Sequence, residues 1–160
     1  MMPKVLLDTS FFIRLLDDSD ELHKNALGYF KYYLENDVQM SVSTISIAEY
    51  CVRGELEELP LKDIRIIPFN IDHAQRCGTF AAFLFKFRSK SELNLENRNV
   101  IPNDSKLFAQ ADLDQEIISF VSADSNSGKI IELLRKNCQA RFDLIDIKRP
   151  FHETYGILDL

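Results

Sequence analysis

Four acidic residues stand where carboxylate chemistry would need them. Asp8 closes the apolar run Val5-Leu6-Leu7, Glu49 lies in an apolar helix-like stretch, and Asp104 and Asp124 each adjoin turn-forming residues. Each falls near the end of an expected strand or the start of an expected helix, where an open α/β sheet gathers ligands. Carboxylates sharing a pocket repel one another and their pKa values rise unless a cation neutralises them. Oxygen ligands select hard ions, magnesium or manganese, over zinc. One or two such ions activate a water and offset phosphoryl charge, so the expected chemistry is metal-dependent phosphodiester hydrolysis without a histidine base.

Each acid also has a purely structural reading. Asp8 ahead of Thr9-Ser10 suits a helix N-cap, Asp104 suits charge compensation in the first turn of a helix, and Asp124 in Ser122-Ala123-Asp124-Ser125-Asn126 suits a turn. Glu49 fits such a reading less well. Ile45, Ile47, Ala48, Tyr50 and Val52 make its helix mostly apolar, and a buried carboxylate needs a partner.

The elements that must position these residues follow from apolar periodicity. Runs at 3–7, 39–43, 64–69, 117–122 and 143–147 read as strands alternating with helices, which argues for parallel βαβ units in one five-stranded, mostly parallel sheet. Leu22, Ala26, Leu27, Phe30 and Leu34 recur at helical spacing behind the caps Asp18-Ser19-Asp20. A second helix is expected over about 44–54, started by Ser43 or Thr44 and stopped by Gly54. Ile71 to Phe87 reads as a long helix whose Phe80–Phe87 stretch is apolar on more than one face, suited to the core or to a homodimer contact.

Residues 88–102 are polar and aperiodic, and read as an exposed loop or insertion with local basic character that suits guiding a phosphate backbone. Asn103 is expected to cap a helix holding Leu107, Phe108 and Ala111, and Ser127-Gly128 to lead into an amphipathic helix ending at Arg135-Lys136. The tail with Phe151, Tyr155, Ile157 and Leu158 is apolar enough to dock.

With 160 residues and 46% apolar content, including twelve Phe, the chain has material for a single domain over 1–160 with one core. Cys51, Cys77 and Cys138 form no metal or disulfide pattern and read as reduced core thiols. The apolar runs are too short for a signal-peptide core or a membrane span, so a soluble cytoplasmic protein is expected. A net charge of -6 disfavours a nonspecific nucleic-acid binder. It weighs less against a nuclease, because bound cations would offset part of that charge.

At the four acids the chain resembles the PIN-domain family, and within it the VapC-type ribonuclease toxins of prokaryotic toxin–antitoxin pairs. Four stretches carry the likeness: Val5-Leu6-Leu7-Asp8-Thr9-Ser10, Ser41-Val42-Ser43-Thr44-Ile45-Ser46-Ile47-Ala48-Glu49, Asn103-Asp104-Ser105-Lys106, and Ser122-Ala123-Asp124-Ser125-Asn126. The resemblance implies a three-layer α/β/α sandwich and a magnesium or manganese site made by Asp8, Glu49, Asp104 and Asp124. It further implies that Ser10, Asn103, Ser122 and Asn126 support those acids, that the substrate is RNA, and that an antitoxin protein is the partner. The segment over 88–102 is longer than compact toxins usually have, and an aromatic residue common after the fourth acid is absent.

Other readings fare less well. A haloacid-dehalogenase-type phosphatase needs a second Asp where Ser10 stands, and a P-loop needs Gly and Ser or Thr where Ala123 and Ile130 stand. His23, His73 and His152 are too scattered for a zinc hydrolase or a serine triad. The rival of another class is a PIN-like binding module or RNA-processing component with little activity of its own.

Overall fold

Residues 2–88 and 100–158 are described by the computed structural model. Five parallel strands, β1 (Lys4–Leu7), β2 (Gln39–Ser43), β3 (Ile64–Ile67), β4 (Ile117–Ser122) and β5 (Asp143–Asp146), form one sheet in the order β3-β2-β1-β4-β5. All five fall within the expected runs. β3 stops two residues short because Pro68 follows it and has no N–H for the ladder. Past a register shift near the start of β4, side chains alternate between the two faces: Val5, Leu7 and Val121 enter one apolar layer, Leu6 and Phe120 the other. Burial on both faces is why the central strands β1 and β4 read as near-continuous apolar runs.

Seven α-helices are present among the described residues, and they cover the sheet to make the expected three layers. One face carries α1 (Thr9–Leu16), α2 (His23–Glu35) and the short C-terminal α7 (Phe151–Thr154), whose side chains share the first layer. α4 (Ile71–Arg88), α5 (Val100–Leu113) and α6 (Ser125–Cys138) share the second. α3 (Thr44–Tyr50) follows β2, capped by Ser43, whose Oγ accepts from the Ile45 N–H at 3.0 Å. Two 3-10 turns at Leu56–Glu58 and Leu61–Asp63, which periodicity did not reveal, lead into β3.

Several expectations are corrected. The buried face of α2 is Ala26, Tyr29 and Tyr33, whereas Leu34 is exposed. Tyrosines can fill this layer because their hydroxyls are satisfied: Tyr29 donates to the Arg149 carbonyl at 2.6 Å, and Tyr33 pairs with the Tyr155 hydroxyl at 3.0 Å. Helix α3 ends at Tyr50 instead of running to Gly54, whose N–H turns back to the Tyr50 carbonyl at 2.9 Å. In the tail, Phe151 and Tyr155 pack into the core, while Ile157 and Leu158 remain exposed.

Cys51 is exposed and Cys77 and Cys138 are half-buried, so none is a fully buried core thiol. Within the Phe80–Phe87 stretch, Phe80 and Leu84 are fully buried, but Phe85 is 40% exposed. Most of the basic 88–102 segment lies outside the described residues; its last three positions, 100–102, belong to α5. That helix therefore starts before Asn103, which is not its cap. Pro102 is accommodated in the first turn, where a missing N–H costs nothing. Likewise α6 begins at Ser125, capped by Asp124, two residues ahead of the expected start. No described helix is long and apolar enough to cross a membrane.

Candidate active site

The strand order reverses between β1 and β4, and their carboxyl ends open onto the crevice where such sheets bind ligands. Leu7 pairs with Val121, so the next residues, Asp8 and Ser122, lie side by side at the sheet's end. The Asp8 N–H continues the ladder to the Val121 carbonyl at 2.9 Å.

Asp8 caps α1, accepting from the Thr9 N–H on Oδ1 at 2.8 Å. Its Oδ2 accepts from the hydroxyls of Ser10 and Ser122, each at 2.8 Å. Both serines are themselves held. Ser10 Oγ accepts the Ala123 N–H and Ser122 Oγ the Asp124 N–H, each at 3.0 Å. Asp124 caps α6 by accepting from the Asn126 N–H at 2.9 Å. Two helix N-termini thus meet two carboxylates, the charge that a helix start favours.

Glu49 departs from the expected burial. It is exposed, and Ser46 is the one buried residue of α3. Its partner is Thr9, whose hydroxyl donates to Glu49 Oε2 at 2.5 Å. Sequence reading missed this threonine, although its place directly after Asp8 at the start of α1 was a usable signal.

Asp104 lies in the second turn of α5, not the first. Its Oδ2 is buried and receives no hydrogen bond from the described residues. Burial, then the charges of Asp8, Asp124 and Glu49, push its carboxyl up to about 7. Burial likewise raises Asp8, against the opposing pull of its hydrogen bonds from Ser10, Ser122 and the Thr9 N–H. The four acids therefore share one electrostatic environment, with Asp104 feeling all three others.

Each of the other three is drawn to its own hydrogen-bond partners. Among the described residues no three His, Cys, Asp or Glu side chains form a group that could hold a metal ion. The donor set still fits a hard divalent cation: all oxygen, anionic, with one buried oxygen that has no hydrogen-bond donor. Asn103 is exposed, and Asn126 contributes a backbone N–H. Ser10 and Ser122 are the two expected supporting residues whose side chains contact a site acid. Beside the site a groove of about 610 Å³ runs between α1 and α3, lined by Thr9 and Glu49 at the acids and by Ile13, Leu16, Tyr50 and Val52 beyond them.

This architecture is shared with solved VapBC and VapC structures. A chain in the crystal structure of VapBC2 from Rickettsia felis, bound to a DNA fragment from its promoter, matches with a TM-score of 0.57 at 14% identity, over 89% of this chain and 98% of that one. One in DNA-bound VapBC from Salmonella typhimurium matches with 0.54 at 17% identity, over 91% and 99%. VapC20 from Mycobacterium tuberculosis, described as a toxin that cleaves the sarcin-ricin loop, matches with 0.52 at 16% identity, over 76% and 91%. The fold is the PIN-domain fold of VapC structures. No family model matches the sequence, and no curated protein matches it.

Proposed function

We propose that the protein is a divalent-metal-dependent endoribonuclease, the toxin of a toxin–antitoxin pair. The observation that carries the reading is Asp104: a half-buried carboxylate with one buried, donor-less oxygen, pushed up by burial and by the charges of three other acids. Such an arrangement is costly for a scaffold alone and useful for gathering a hard cation. The VapC fold supports a ribonuclease and an antitoxin partner over other phosphodiesterases.

Asp8, Glu49, Asp104 and Asp124 would hold magnesium or manganese. What such an ion supplies when bound is activation of the attacking water and neutralisation of charge on the phosphoryl group and the leaving oxygen. The protein's own part is orientation. Ser10 and Ser122 fix the Asp8 carboxylate, and Thr9 fixes that of Glu49. Asp124 is aimed by its capping bond to α6. The donor-less Asp104 oxygen is left for a cation. RNA would reach the acids at the open carboxyl end of the sheet, and the apolar groove between α1 and α3 offers an antitoxin a hold beside them.

The test is twofold. Purified protein should degrade RNA with magnesium, and stop with EDTA or on Asp8→Asn. Expression of the chain alone in bacteria should slow growth, and Asp104→Asn should relieve the arrest. Cleavage indifferent to EDTA and to Asp8→Asn would remove the nuclease reading; harmless expression of an active nuclease would remove the toxin role.

A further inference from the structure

We propose that Thr9 is a positioning residue that sets Glu49 for metal capture, an inference that rests on the metal-site reading above. Thr9 grips two acids at once: its N–H holds Asp8 Oδ1 at 2.8 Å and its hydroxyl holds Glu49 Oε2 at 2.5 Å. The first bond belongs to β1 and α1, the second reaches α3, forty residues on. One residue therefore ties the element that carries the first acid to the element that carries the second.

Among the described residues Glu49 has no backbone N–H tie of the kind that holds Asp8 and Asp124. Asp8 is fixed by two serines and a backbone N–H, and Asp124 by the start of its own helix. Glu49 is exposed, on a seven-residue helix, and Thr9 makes the one hydrogen bond that its carboxylate receives among the described residues. A glutamate with three free torsions loses rotamer entropy when it is brought to a ligand, and a standing hydrogen bond removes part of that cost in advance. Thr9 suits the task. It is 8% exposed, its β-branched side chain is stiff, and its place as the first residue of α1 leaves no preceding helical carbonyl to compete for its hydroxyl. Hydrogen bonds to a ligating carboxylate typically carry about 10- to 100-fold in metal affinity.

The test is Mn²⁺ binding to the purified chain, titrated by electron paramagnetic resonance without RNA. Thr9→Val keeps the shape and the N–H bond to Asp8 but removes the hydroxyl, while Thr9→Ser keeps the hydroxyl. Thr9→Val should weaken Mn²⁺ binding about tenfold or more, and Thr9→Ser should stay near the wild type. Adding Thr9→Val to Glu49→Gln should change affinity by no more than about twofold, since the two would act through one bond. Should Thr9→Val fail to fold, as read from its unfolding midpoint, Thr9→Ala against Thr9→Ser makes the same comparison. Wild-type affinity in the variant lacking the hydroxyl, or an equal loss in both backgrounds, overturns the role of Thr9 alone. A wild-type chain that takes up no Mn²⁺ overturns the metal reading and this inference together.

Discussion

Ser122 Oγ donates to Asp8 Oδ2 at 2.8 Å and accepts from the Asp124 N–H at 3.0 Å, so a single hydroxyl links two acids on neighbouring strand ends. Ser122 is fully buried, so both partners would lose their bond without replacement by bulk water. Ser122→Ala should destabilise the fold by about 1–3 kcal/mol. Urea unfolding checks this, with the midpoint shifting and the slope unchanged.

The raised carboxyl of Asp104 makes stability depend on pH in a defined direction. Its folded value, about 7, lies above the ordinary aspartate value of 3.8, so folding favours the protonated form. The contribution is therefore fully present below the ordinary value and is lost as pH rises through about 7. Asp104→Asn, which cannot ionise, should be more stable than wild type near pH 8 by at most roughly 4 kcal/mol, a gap that closes towards about pH 4. Unfolding curves of the two proteins across that range read the difference. A gap that grows on acidification would contradict the assignment.

The tail is held to α2 by tyrosine hydroxyls. Tyr29→Phe removes a bond to the Arg149 carbonyl and a contact with Thr154 Oγ1, each at 2.6 Å, and should cost about 1 kcal/mol. Amide exchange should quicken over 151–155 first, because a short terminal helix opens locally before the sheet does. RNA cleavage should be unchanged.

The sheet was legible because the central parallel strands, buried on both faces, are plain apolar runs, and the acids stood near expected strand ends and helix starts. What local periodicity could not show was decided by distant partners. Tyr29 and Tyr33 are buried because Arg149 and Tyr155, more than a hundred residues on, satisfy their hydroxyls. Neighbouring apolar residues suggested a buried Glu49, yet α3 turns that side chain outward to Thr9. The start of α5 was misplaced because Asn103 has a cap-forming side chain and Pro102 resembles a boundary, while proline is equally at home inside a first turn.

The most direct measurement is a crystal structure of the chain soaked in Mn²⁺, with anomalous diffraction recorded at the manganese edge. An anomalous peak should appear among Asp8, Glu49, Asp104 and Asp124, within bonding distance of the Asp104 oxygen that now lacks a donor, and should vanish in Asp104→Asn. No peak at these acids at saturating Mn²⁺, or a peak indifferent to Asp104→Asn, would contradict a shared metal site.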